Sequence, residues 1–173
     1  NWISNNALPV WIRERGLQNL GKVDTSASGN NFNSNHAFKP GFVFESGIRP
    51  LTNLSITGIL CYQGESNAQE LDRVFEYSEL TKLLINDYRK NWNQPTMPFY
   101  FTQLSSIDTL KYKGNLWPEF RNEQRRIVQS IPYTGMAVTS DIGFRNDVHP
   151  TNKKVVGERL ALLALSKTYF QNI

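Results

Sequence analysis

The sequence predicts an α/β fold built on a parallel sheet. Three short apolar runs, rich in β-branched and aromatic residues, read as strands: Ile56 to Tyr62, Met97 to Leu104 and Gly135 to Asp141. Each is followed by a segment of helical period, at 70–92, 118–130 and 155–169. Strand and helix alternating in this way imply right-handed crossovers, with all three strands pointing the same way. Their C-terminal ends carry Gln63-Gly-Glu65, Gln103-Leu-Ser105 and Asp141-Ile-Gly143, so the polar clusters converge on one rim, where open α/β sheets bind ligands.

Residues 1–55 read as an irregular N-terminal segment, and 56–173 as a βαβαβα core of the same domain. Trp2 to Arg15 has an apolar rhythm broken by Pro9, which predicts short helical turns. Leu17 to Pro40 is a long loop rich in Asn, Ser and Gly that carries His36. Phe42 to Leu51 is limited to a short helical turn by Gly47 and Pro50. The strand at Ile56 is apolar and reads as buried. At its end the polarity flips within one residue, and Gln63, Glu65, Ser66 and Asn67 gather around Gly64. A cap for the next helix needs only one of Ser66 or Asn67, which leaves Gln63 and Glu65 without a structural role. From Glu70 to Trp92, Leu71, Val74, Phe75, Leu80, Leu84, Ile85, Tyr88 and Trp92 form one stripe facing a sheet. Pro98 bounds the second strand, Pro118 starts the next helix, and Val155, Val156, Leu160, Leu163 and Ala164 form the inner face of the last.

Composition narrows the chemistry. With 173 residues, 39% hydrophobic and 20% charged, the chain can build one core. No apolar run approaches the roughly 20 residues of a membrane helix. The net charge of +4 is mild and scattered, which speaks against a nucleic-acid footprint. Two histidines and one cysteine, Cys61, speak against a structural zinc site, and no cofactor motif occurs: neither Gly-x-Gly-x-x-Gly nor Gly-x-x-x-x-Gly-Lys is present. No cofactor, no membrane and no nucleic acid are therefore expected.

The loop after the third strand contains Asn146-Asp147-Val148-His149-Pro150. A His two positions after an Asp can act as a general base, with the carboxylate holding the imidazole. The same residues also suit a helix-initiating turn capped by Thr151 or Asn152, and spacing alone does not choose between the two readings. The Gln63 amide and the backbone N–H groups beside Gly64 can donate to an oxyanion. A nucleophile in an elbow is missing: Ser66 lies inside the turn, Ser105 and Ser106 lack a glycine elbow, and Cys61 lies within a strand.

Ile56-Thr-Gly-Ile-Leu-Cys-Tyr-Gln-Gly-Glu-Ser-Asn67 resembles the strand and turn of sialate O-acetylesterases, carbohydrate esterases of the SGNH-hydrolase class. The resemblance runs through Phe44 to Leu51, Pro98 to Leu104, the Trp117…Arg121…Gln124 spacing, Gly135 to Asp141, Asp147 to Pro150 and the ending Lys153/Lys154…Gly157-Glu-Arg-Leu-Ala161, in family order. It implies a three-layer α/β/α, flavodoxin-like fold and removal of O-acetyl groups from sugars. Acetylated sialic acid is the first substrate it suggests and acetylated plant polysaccharide, as in acetylxylan esterases, the second. It implies His149 as base, Asp147 as the acid that orients it, Gln63 as oxyanion donor, and Gly64 and Glu65 as pocket residues. The family often places the orienting Asp three residues before the His, where this chain has Asn146, and commonly has Trp where this chain has Cys61. It places Arg121 and Gln124 near the site as structural residues, and suggests a periplasmic or secreted location.

The family's nucleophilic serine segment and second oxyanion donor match nothing here. The resemblance therefore implies a C-terminal part of an esterase domain, with an incomplete sheet lacking its first strands and the serine in a missing N-terminal segment. A non-catalytic, carbohydrate-binding remnant is the alternative. In either case the strand at Ile56 is expected to be a sheet edge. It would be covered by the missing segment, by a second copy in a homo-oligomer, or by the chain's own N-terminal residues.

Overall fold

The computed structural model describes residues 2–21, 39–108, 114–145 and 147–173. His36 and Asn146 lie outside the described residues. These residues form two compact units: Asn1–Ser55 with Leu83–Pro95, and Ile56–Lys82 with Thr96–Ile173.

In the first unit the expected short turns are instead one helix, α1, Val10–Gly21. Pro9 precedes its first residue, where a missing N–H costs no intrahelical bond, so proline starts this helix rather than breaking it. The 44–51 segment is the tight turn that Gly47 and Pro50 suggested: a π turn over Phe44–Ile48 followed by a 3-10 turn over Arg49–Leu51. Fully buried Phe44 packs its ring 5.8 Å from that of Tyr88, which lies 5.7 Å from Trp92. The buried carboxylate of Asp87 accepts from Ser4 N and Oγ, both at 2.6 Å, and from Asn91 Nδ2 at 2.9 Å. Three donors offset its desolvation.

The second unit holds the sheet. Strands β1 (Ile59–Cys61), β2 (Phe99–Thr102) and β3 (Thr134–Ala137) are parallel and ordered β1-β2-β3. Helices α2 (Leu71–Asn91) and α3 (Trp117–Ser130) are the crossovers, and α4 (Lys153–Lys167) follows β3. All four β2 residues are buried, as a central strand of a layered sheet requires. On one face Tyr100 and Ala137 pack with Val156 and Leu160 of α4. Gly135 is required there: a Cβ would stand 2.9 Å from the Tyr100 ring.

Two expectations need correction. The strand at Ile56 is neither seven residues long nor buried. It spans three residues, and Leu60 is 61% exposed. Among the described residues β1 pairs with β2 alone, so its apolar side chains lie at an edge. The stripe on α2 is also offset. Leu71 and Phe75 are exposed, whereas Val74, Tyr77, Thr81, Ile85 and Tyr88 are buried, at intervals of three and four. The stripe does not serve one sheet, because the helix contributes its first half to the second unit and its second half to the first.

Asp141, at the rim, is held by α4. Arg159 grips its two carboxylate oxygens at 2.6 Å each and donates to Val138 O at 2.6 Å. The Arg159 guanidinium lowers the Asp141 carboxyl from 3.8 to about 2. A carboxyl depressed on folding stabilises the fold above its unfolded pKa, and that contribution fades as the pH falls through the folded value. Asp141→Asn is therefore expected to lower the urea midpoint at pH 7, with the gap to wild type closing as pH falls from 3.8 towards 2. A gap independent of pH across that window would contradict this role.

Candidate active site

The rim is assembled by hydroxyls at the three strand ends. Thr139, after β3, donates to Gln103 O. Its oxygen accepts from Ser105 Oγ at 3.2 Å. A hydroxyl has one proton, so the Tyr62–Ser105 contact of 3.3 Å must be donated by the Tyr62 phenol. Buried Ser105 is thus engaged on both sides, and its carbonyl accepts from Trp117 Nε1 at 2.8 Å. These bonds take Ser105 out of contention as a free nucleophile, while Ser66 and Ser106 are exposed on their loops. Gln103 donates through Nε2 to Arg121 O at 3.3 Å, and the fully buried Gln124 side chain bridges Leu104 N (2.9 Å) and Thr102 O (3.1 Å). Gln124 and the Arg121 carbonyl thereby tie α3 to the end of β2, a structural task.

The turn after β1 is held from below. Gly64 has φ +151°, and a Cβ there would stand 2.7 Å from the Phe120 ring. Phe120 is fully buried and stacks 4.4 Å from Tyr77, whose hydroxyl donates to Gln63 O at 3.2 Å. A 3-10 turn, Glu65–Ala68, then leads toward α2. The polar groups of the turn satisfy one another: Gln63 Nε2 donates to Asn67 Oδ1 at 2.9 Å, and Gly64 N donates to Glu65 Oε2 at 3.0 Å. The second proton of the exposed Gln63 amide remains for another acceptor. Burial, and then the nearby Glu65 charge, push the Cys61 thiol up to about 11, so it stays a neutral thiol beneath the turn.

The loop after β3 presents His149. Gly143 lies against the Ser106 backbone, where any Cβ would stand 1.9 Å from Ser106 O. Arg145 Nε donates to Asp108 Oδ2 at 3.1 Å, and Asp108 N donates to Arg145 O at 3.1 Å. The loop is thereby moored to the segment after β2. One oxygen of Asp147 accepts from His149 N at 2.9 Å and meets His149 Nδ1 at 2.8 Å. The two-residue spacing permits this double contact, because an Asp side chain reaches the N–H two residues on. Pro150 is fully buried, and Asn152 caps α4 by accepting from Val155 N. His149 itself is 78% exposed at its side chain. Asn152 thus supplies the helix cap, while Asp147 and His149 contact each other ahead of it.

The Gln63 turn and the His149 loop belong to neighbouring segments of the rim. Lys153 Nζ lies 4.2 Å over the ring of Tyr62, the residue before Gln63. Tyr77, Phe120 and Lys153 were not singled out as site residues from the sequence. The interval Val74, Tyr77, Thr81 was the available signal for Tyr77.

Comparison with known proteins places the family and the fold. A family model described as carbohydrate esterase, sialic acid-specific acetylesterase, matches residues 11–166. The chain belongs to this family. The mouse sialate O-acetylesterase is 33% identical over 138 residues, covering 70% of this chain and 25% of that protein. The human sialate O-acetylesterase is 29% identical over 147 residues, covering 76% and 28%. A crystal structure of a carbohydrate acetylesterase from Xanthomonas citri superimposes with a TM-score of 0.71 at 34% identity, over 78% of this chain and 31% of the other. The chain thus spans between a quarter and a third of the length of these relatives. Its parallel sheet with helical crossovers is the α/β fold of that carbohydrate esterase. No helix among the described residues is long and apolar enough to cross a membrane.

The turn makes a direct demand on residue 64. Gly64→Ala requires a positive φ of a residue with a Cβ and drives that Cβ into Phe120, so a loss of about 1–3 kcal/mol in unfolding free energy is expected. Gly47→Ala, where no atom lies within 4 Å, serves as the control and is expected to change stability far less. Urea unfolding of both variants checks this; equal effects would contradict the role given to the Phe120 contact.

Proposed function

We propose that this chain supplies the general-base side of a carbohydrate O-acetylesterase. The observation that carries the reading is the 2.8 Å contact of His149 Nδ1 with Asp147, which leaves Nε2 of an exposed imidazole for the reacting group. In this reading a serine outside these 173 residues attacks the acetyl carbonyl, and its proton passes to His149 Nε2. The imidazolium, stabilised by Asp147, then protonates the departing sugar oxygen. Water, activated by the same imidazole, releases acetate from the acyl-serine. The Gln63 amide and the Gly64 N–H stabilise the negative charge that develops on the carbonyl oxygen, with Glu65 shaping the pocket.

The substrate class is an O-acetylated sugar. Two relatives named sialate O-acetylesterase support an acetylated sialic acid, and the bacterial relative named carbohydrate acetylesterase supports the broader class. Such a substrate is consistent with action in the periplasm or outside the cell.

The test is made on the polypeptide that unites this chain with its serine-bearing segment. His149→Ala is expected to lower p-nitrophenyl acetate turnover by at least about 10³-fold while leaving urea unfolding unchanged. Near-parental turnover in that variant would overturn the assignment.

A further inference from the structure

We propose that Tyr77 is a positioning residue for ester hydrolysis: its phenol fixes the plane of the Gln63–Gly64 peptide so that the Gly64 N–H faces the reacting carbonyl oxygen. The inference rests on the reading of this turn as the oxyanion-stabilising element.

Three observations carry it. First, the buried Tyr77 hydroxyl donates to Gln63 O at 3.2 Å, which pulls that carbonyl toward the interior of its unit. Among the described residues no peptide bond is cis. Across a trans peptide the C=O and the following N–H point in opposite directions. The Gly64 N–H is therefore directed away from Tyr77. Second, that N–H already holds an anion-forming group, Glu65 Oε2, at 3.0 Å. This lies within the range of about 2.7–3.1 Å at which a backbone donor serves an oxyanion. The carboxylate oxygen marks where the substrate oxygen would be received after Glu65 swings aside. Third, the phenol has little freedom to release the carbonyl. Its ring is stacked on Phe120 at 4.4 Å, and Phe120 in turn lies against Gly64 at a distance that excludes a Cβ. Burial, followed by the influence of Cys61, raises the Tyr77 pKa far above the usual tyrosine range, so the hydroxyl remains a donor at every working pH.

Tyr77→Phe removes the donor and keeps the ring. In the 15N-labelled 173-residue chain, the Gly64 amide resonance is expected to shift and its exchange with solvent to accelerate. In the polypeptide that also carries the serine, kcat for an acetyl ester is expected to fall at least tenfold with KM within twofold. A purely structural role would instead lower the urea midpoint and leave kcat per folded molecule unchanged. An unmoved Gly64 amide, or a kcat within twofold of wild type while His149→Ala remains inactive, would overturn the proposal without touching the assignment of the base. Loss of His149 dependence would instead strike the proposed function itself.

Discussion

The rim depends on the position of Ser105. Its oxygen receives the Tyr62 phenol, its proton goes to Thr139, and its carbonyl receives the Trp117 indole. One residue thereby locks the ends of β1, β2 and β3 to each other and to the first residue of α3. In a buried setting, each of these groups would cost roughly 1–3 kcal/mol if left unpaired, so the network has one low-energy arrangement. The turn after β1 and the loop after β3 inherit their places from it, since Tyr62 precedes Gln63 and Thr139 precedes the segment that leads to His149.

The sheet and its crossovers were legible because their signals are local. Runs of β-branched and aromatic residues, proline punctuation and helical periodicity place β2, β3, α3 and α4 within a few residues of where they stand. The edge position of the strand at Ile56 follows from the missing partner strands, but its length and exposure do not follow from its apolar residues, which read alike in a covered strand and an uncovered one. Leu60 is as apolar as a core residue but sits at an edge. The stripe on α2 is offset because exposed Leu71 and Phe75 are as apolar as its buried residues, and no single-face pattern shows that a helix serves two units.

The candidate site was legible as residue types and illegible as geometry. Asp147 and His149 could be paired from their spacing, but that one carboxylate oxygen takes both the ring and the backbone N–H emerges only from the turn. Gln63, Gly64 and Glu65 stood out as polar groups without a structural task. The structure gives each a local partner, and it adds Tyr77 from the helix that follows the turn and Phe120 from α3, distant in sequence. Such supports carry no motif.

The central claim is that Asp147 holds the His149 ring in the form that leaves Nε2 free to take a proton. Long-range 1H–15N spectra of the histidine side chains test this most directly, with Asp147→Ala as reference and only two histidines to assign. The account predicts that neutral His149 carries its proton on Nδ1, and that the Nδ1–H preference is lost in Asp147→Ala. A proton on Nε2 in the wild-type chain, or a tautomer indifferent to residue 147, would contradict it.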